Sequence, residues 1–317
     1  MDLIVYHNNC PDGFAAAYIA KQRYPEAQLM PRDHGVPINV EQFRDKDVLC
    51  VDCNLRGVND EVASVAKSYL VLDHHKSETE IIGKPYVIYD VTRSGAGLAW
   101  DFLFGKDKNH PLINTHPWHY EHGAQPRPWW VDYVEDRDLW KFLLPVSKEV
   151  NAYIMTFPYT IEGWSKMTKF EFLEAASAGK YVLLQIEKYV REAVKMAQFG
   201  RLSLNGKSYT VAVVNVPYLN TSEVGAALAH SVDIGLGWFE REDGMIQFSA
   251  RSMGDVDVSE VAKAFGGGGH QHAAGFQVSL DKGREIVDTI LSRRKPRYRI
   301  ALGPFVKDGE IPKESIC

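Results

Sequence analysis

The chain has 317 residues, 45% hydrophobic and 24% charged, with a formal net charge of −5. That length suits about two domains of ordinary size, and no run approaches the roughly 18 uninterrupted apolar residues of a membrane span, so no membrane partner is expected. The negative charge argues against a broad basic surface that grips long duplex nucleic acid. It leaves a phosphate substrate open, because carboxylates clustered around divalent cations give a locally positive field.

The first residues, MDLIVYHNN, lack the basic start and long apolar block of a secretory signal, which makes the cytoplasm the expected compartment. LIVYH (3–7) reads as a buried strand, and GFAAAYIAKQRY after Asp12 as a helix whose small residues allow close packing on a sheet. DVLCVDCN (47–54) is a second strand, followed by a helix near 58–67, and SYLVLDHH (68–75) is a third. Alternation in VLCVDCN sets Cys50 and Asp52 on one face and Cys53 on the other, so Cys50 and Cys53 form a CxxC by count only. With Cys10 and Cys317, they are too few for a disulfide framework in a chain of this size.

SGAGLAWDFLF reads as a helix. The stretch at 106–128, rich in Pro, Asn and His and holding His110, His116, His119 and His122, reads as a polar surface excursion, with an extra metal patch as the alternative. Helical patterns resume in WWVDYVEDRDLW and again over about 180–198, an amphipathic connector. A hairpin follows in LSLNGKSYTVAVVNV, where Asn205-Gly206 is a strong turn signal. Then come a helix (222–230), strands around GLGWFERE and MIQFSARS, a helix (259–265) and GGGGHQHAAGF. Five basic residues within 293–299 read as a solvated tail. The fold class is therefore α/β with two domains: an N-terminal parallel-sheet domain (1–180) and a smaller mixed-sheet α/β domain (201–295). A helical connector (181–200) joins them, and a tail (296–317) follows.

Each of the three N-terminal strands ends at its carboxyl end in residues that bind metals, which is where open parallel sheets place their ligand sites. In Asp73-His74-His75 one imidazole can bind a metal while a carboxylate fixes its orientation. His7, Asp12, Asp52 and the pair Asp136/Asp138 recur at other strand or helix ends. Imidazole and carboxylate donors without a thiolate cluster suit Mn²⁺ or Mg²⁺ better than a structural zinc. In the C-terminal part, consecutive glycines let backbone N–H groups approach a phosphate closely, and His270 adds a donor; a flexible turn is the alternative.

HNNCPDG (7–13), VDCN (51–54), DHH (73–75), EDRDLW (135–140) and GGGGHQHAAGF (266–276) occur in this order. In these motifs, and over most of its length, the chain resembles the DHH phosphoesterase family, specifically members with the DHH-associated C-terminal domain and including nanoRNA-degrading enzymes. The resemblance implies two divalent metal ions, Mn²⁺ ahead of Mg²⁺. Asp52 would bridge both; His7 would ligate the first, and Asp12, His74 and Asp138 would complete the second. Asp138 is preferred to Asp136 because a short residue and an aromatic follow it. His75 would face the substrate, Asp73 would orient a histidine, and Arg251, Gly267, Gly268, Gly269 and His270 would hold a substrate phosphate. Ser94 is a further candidate for closing the N-terminal site. The family's first motif usually supplies two aspartates one residue apart, whereas here the first is Cys10, either a ligand or a turn residue.

The expected function is hydrolysis of phosphodiester bonds in short single-stranded nucleic acid or dinucleotides, with nucleotide bisphosphates also open, in a cleft between the domains. Long duplexes are excluded and a homodimer is left open. Hydrolysis of inorganic polyphosphate or pyrophosphate and a non-catalytic nucleotide-binding regulator are the alternatives.

Overall fold

The apolar runs near the N-terminus are strands buried on both faces. In the computed structural model, which describes residues 1–33, 36–76, 79–105 and 125–292, β1 (Leu3–His7), β2 (Gln28–Arg32), β3 (Asp47–Val51), β4 (Ser68–Asp73) and β5 (Val87–Tyr89) form one sheet in the order 2-1-3-4-5. Every pairing is parallel. Ile4, Tyr6, Leu49, Val51, Leu70 and Leu72 pack on one side and Leu3, Val5, Val48, Cys50, Tyr69 and Val71 on the other. Two-sided burial is what makes these segments read as continuous apolar runs.

Helix α1 (Pro11–Arg23) starts on Pro11 and presents buried Ala15, Ala16, Ala17 and Ala20 to the sheet and to α3 (Gly95–Leu103). Asp12 thus lies inside the first turn of α1 rather than ahead of it. On the opposite face, α2 (Asn59–Val65) contributes Val62. Helices α4 (Trp129–Asp138), α5 (Ser147–Ile154) and α6 (Ile161–Met167) complete the α1 side, where Trp130, Trp164 and Phe14 meet edge-on.

Two compact units divide after Leu183, within α7 (Phe172–Lys195). This helix starts earlier than the expected 180, because Phe172 and Ala175 already pack with the N-terminal core. The second unit is a mixed sheet of β6 (Gln198–Leu204), β7 (Lys207–Asn215), β8 (Ile234–Glu240), β9 (Met245–Arg251), β10 (Gly268–His270) and β11 (Ala273–Ser279). Its order is 10-11-9-8-7-6, with only β7–β8 parallel. Helices α8 (Thr221–Ala229), α9 (Val258–Ala264) and α10 (Leu280–Ser292) complete it. Asn205 and Gly206 both take positive φ, 50° and 76°, the requirement of a two-residue turn whose twist matches its strands. No helix among the described residues is long and apolar enough to cross a membrane. The histidines at 110, 116, 119 and 122, the basic run at 293–299 and Cys317 lie outside the described residues.

The glycine run is more ordered than the turn considered for it. Gly266 and Gly267 donate their N–H groups to Lys263 O and Ala262 O, closing the end of α9, and Gly268 opens β10. A Cβ at Gly267 would stand 2.1 Å from Gly275 O and 2.5 Å from Phe276 Cβ. Gly267→Ala is therefore expected to cost about 1–3 kcal/mol, seen as a lower urea midpoint at constant slope. An unchanged midpoint would show that the β10–β11 hairpin yields freely.

Candidate metal centre

The strand order 2-1-3-4-5 reverses between β1 and β3, and the crevice beyond the carboxyl ends at such a reversal is where ligands bind. His7 ends β1, Asp52 follows β3, and Asp73 ends β4 ahead of His74 and His75. Asp52 takes φ 55°, a left-handed conformation costly for a residue with a Cβ. That turn breaks the alternation expected of VLCVDCN: Cys50 and Cys53 share one core cluster, while Asp52 turns towards α1 and α3. The backbone admits it only because residue 95 is glycine; a Cβ there would meet Asp52 Cβ at 2.4 Å.

Three groups of donors share Asp52, one of them with Asp73 and His75. A ring nitrogen of His7, Cys10 Sγ and an Asp52 oxygen lie within 4.8 Å of one another, as do donors of Asp12, Asp52 and His74. His7 Nδ1 is 3.5 Å from Asp52 Oδ2, and His74 Nε2 is 3.0 Å from Asp52 Oδ1. The same His74 nitrogen stands 3.6 Å from both Asp12 Oδ2 and Asp138 Oδ2. Asp52 Oδ2 and Asp138 Oδ2 are buried without a hydrogen-bond donor, a costly state for carboxylate oxygens unless a cation meets them. These residues fit a divalent cation in donor type, convergence and unmet acceptor capacity.

Asp12 is aimed by a second helix. Gly95 N–H and Ala96 N–H, at the start of α3, donate to Asp12 Oδ2 and Oδ1 at 2.6 and 3.0 Å, placing the carboxylate at the positive end of that helix. Ser94 is the N-cap, accepting from Gly97 N–H at 3.0 Å, so it supports Asp12 without touching it. Glu135 in turn fixes this loop, accepting from Ser94 N–H and from Arg93 and Arg127. The three acids of EDRDLW thus have three jobs. Asp136 accepts from Leu143 N–H, Leu144 N–H and Ser147 Oγ and holds the loop after α4; Asp138 alone reaches the cluster.

Asp73 is fully buried and accepts from His74 N–H, His75 N–H and Asn54 Nδ2, with His75 Nδ1 at 2.8 Å from its Oδ1. Asn54 is itself held by Asn59 Nδ2, and Asn59 accepts from Tyr69 OH. Sequence reasoning missed this chain; VDCN shows the Asn, but nothing in its spacing shows that Asn54 reaches the end of the next strand.

The electrostatics follow from crowding. Burial would raise Asp73, but the His75 charge and the hydrogen bonds from His75 and Asn54 hold it at about 2. Burial, with repulsion from Asp138 and Asp52, pushes Asp12 well above the carboxylate range, and burial with Asp52 repulsion raises Asp138. Asp52 goes well below that range: burial opposes its charge, but the adjacent His7 and His74 imidazoles outweigh it. His7 and His74 are raised well above the usual imidazole value, since carboxylate neighbours overcome burial. Burial pushes the Cys10 thiol up. Opposed shifts packed this closely mark functional sites.

In the second unit, Arg251 ends β9. Its Nη1 donates to Ser249 Oγ and Ala250 O, and its Nη2 to Ser222 Oγ at 2.7 Å. Gly268, Gly269 and His270 form β10, the edge strand. Gly267 cannot offer its N–H to a phosphate as expected, because Ala262 O takes it.

Residues 209–294 match the DHHA1 domain, the same chain that carries the Asp52-centred cluster in its other unit. The second unit therefore carries a DHHA1 domain. The chain is 26% identical over 308 residues to uncharacterized protein R106 of Acanthamoeba polyphaga mimivirus, covering 89% of this chain and 69% of that protein. Among solved structures it is similar to the pGpG-specific phosphodiesterase PggH from Vibrio cholerae (14% identity, TM-score 0.45, covering 92% of this chain and 98% of that one). RecJ from Thermus thermophilus in complex with Mn²⁺ gives 14% identity and a TM-score of 0.48, covering 92% of this chain and 51% of RecJ; this chain thus spans about half of RecJ.

Because His7, His74, Asp12 and Asp138 all hold protons more tightly than free residues do, a cation entering the cluster must displace them. Apparent Mn²⁺ affinity should therefore fall as pH is lowered, and the fall should begin above the ordinary imidazole range because both histidines are raised. Isothermal titration in buffers of different ionisation enthalpy should report net proton release on binding. Binding without proton release would mean that the cluster is already deprotonated.

Proposed function

We propose that this chain is a two-metal phosphodiesterase acting on dinucleotides or short single-stranded oligonucleotides, with Mn²⁺ preferred to Mg²⁺. The observation that carries the reading is the position of Asp52, whose carboxylate belongs to one donor group with His7 and Cys10 and to another with Asp12 and His74. Asp138 joins the second group through its distance to His74. When bound, divalent ions there supply positive charge to the phosphoryl oxygens and acidify water.

The remaining roles belong to the chain's own residues. Asp73 fixes the His75 ring through Nδ1, which would leave Nε2 for the phosphoryl group. His75 is 13% exposed against 1% for His74, consistent with one ring facing a substrate and the other a cation. Arg251 is held in place before any ligand arrives, and a guanidinium suits a phosphate's paired oxygens; His270, Gly268 and Gly269 join it in gripping the part of the substrate away from the scissile bond. Nucleotide bisphosphates, which present a phosphate monoester beside a second phosphate, fall within the same chemistry.

Assay of linear and cyclic dinucleotides, short RNA and DNA, nucleotide bisphosphate and pyrophosphate with Mn²⁺ and with Mg²⁺ should show mononucleotide release from the short substrates. Turnover of pyrophosphate alone would contradict the reading. Asp52→Ala and His74→Ala should lower turnover by about 10³-fold or more, the equivalent of several kcal/mol of lost charge stabilisation, with circular dichroism unchanged. Near wild-type turnover in Asp52→Ala would remove the basis of the two-ion proposal.

Arg251→Ala should raise KM for a dinucleotide about 10–100-fold, the scale of one charge-assisted contact. Bis-p-nitrophenyl phosphate, which needs only the metal centre, should be affected far less. Equal losses on both substrates would place Arg251 at the reacting phosphate or in folding.

A further inference from the structure

Cys10 stands directly before α1, at the N-cap, where Ser, Thr, Asp or Asn usually bonds the first turn through its side chain. Its thiol does not cap the helix; the cap is made by the backbone alone, with Phe14 N–H donating to Cys10 O at 2.9 Å and Pro11 setting the start. The thiol therefore does not serve the helix, and it meets the His7 ring. Cys10 Sγ instead converges with a His7 ring nitrogen and an Asp52 oxygen, all within 4.8 Å of one another. A second observation points the same way: Asp52 is 1% exposed, and its Oδ2, the oxygen nearest His7, has no hydrogen-bond donor. The group is thus one sulfur, one nitrogen and one oxygen donor around a buried carboxylate oxygen whose demand is unmet. The other group, Asp12, Asp52 and His74 with Asp138 beside it, offers only nitrogen and oxygen.

Donors of different softness select different cations: thiolates favour thiophilic divalent ions such as Zn²⁺ and Co²⁺, whereas carboxylates with imidazole suit Mn²⁺ and Mg²⁺. We infer that the two positions are unlike, and that the His7–Cys10–Asp52 position binds a thiophilic divalent cation in preference to Mn²⁺, with Cys10 as thiolate ligand. On binding, a sulfur–metal bond forms and the thiol proton leaves to solvent, with no change of oxidation state. The Asp12–Asp52–His74–Asp138 position keeps its preference for Mn²⁺ or Mg²⁺. The inference rests on the proposed metal centre and amends it at one of its two positions.

Anaerobic titration of the metal-free full chain with Co²⁺ separates the two. Visible ligand-field bands report ions held by imidazole and carboxylate, and a near-ultraviolet thiolate-to-cobalt charge-transfer band reports sulfur ligation. The expected result is both signals in the wild type, with loss of the charge-transfer band alone in Cys10→Ser. Cys10→Asp should shift the ratio of Zn²⁺ to Mn²⁺ affinity towards Mn²⁺ by about tenfold or more, the scale of changes in a metal's ligand environment. Ligand-field bands without a charge-transfer band, or a charge-transfer band that survives Cys10→Ser, would overturn the inference and leave the metal centre standing. Absence of any Co²⁺ binding would overturn both.

Discussion

Three aspartates of the N-terminal unit, Asp12, Asp52 and Asp73, lie almost entirely out of water within reach of two adjacent histidines. Burying one carboxylate without a partner costs several kcal/mol, and these lie too close together to relieve one another. The fold meets the problem differently at each position. Asp73 has four hydrogen-bond donors and remains ionised. Asp12 is placed against the first turn of α3, yet repulsion from Asp138 and Asp52 adds to burial in resisting its charge. Asp52 has the two imidazoles and one oxygen without a donor. Positive charge is deficient where Asp12, Asp52 and Asp138 converge, and that deficit suits the centre to a cation.

The same constraint explains details of the surrounding backbone. Holding Asp52 against α1 and α3 requires a left-handed residue at the end of β3 and a glycine opposite it at 95. Presenting two N–H groups to Asp12 requires that α3 start at the right height, which Ser94 and Glu135 secure from its two sides. Glu135, Asp136 and Asp138 lie on one short segment at the end of α4, which ties the loop before α3, the loop after α4 and the acidic cluster together. Strain and polar burial are concentrated at the centre and supported by a network behind it.

Much of this was legible in the sequence, for physical reasons. Strands β1, β3 and β4 are central and covered on both faces, so their apolar runs and the polar residues at their ends stood out. Strand β2 did not, because Pro31 and Arg32 give it the composition of a loop and an edge position tolerates both; β5 is only three residues long. The motif distinguished Asp138 from Asp136, and in the fold Asp136 is committed to the loop at 143–147 while Asp138 stands 3.6 Å from His74. Asn54, Glu135 and the amides of Gly95 and Ala96 were not legible, because each acts on a residue 19 to 84 positions away. Gly267 was misread for a related reason. A glycine that offers its N–H to a ligand and one that admits a neighbouring backbone look alike in sequence.

Asp52 is central to both the fold of the site and the proposed chemistry, so the most direct test is to locate the ions it is proposed to hold. Crystals of the full chain grown with Mn²⁺ and measured at the manganese absorption edge should show anomalous density on both sides of the Asp52 carboxylate, one peak beside His7 and the other beside Asp12 and His74. Weaker manganese signal beside His7 than beside His74 would accord with the sulfur donor there. A single ion that does not touch Asp52, or no ion within the cluster at saturating Mn²⁺, would contradict the account.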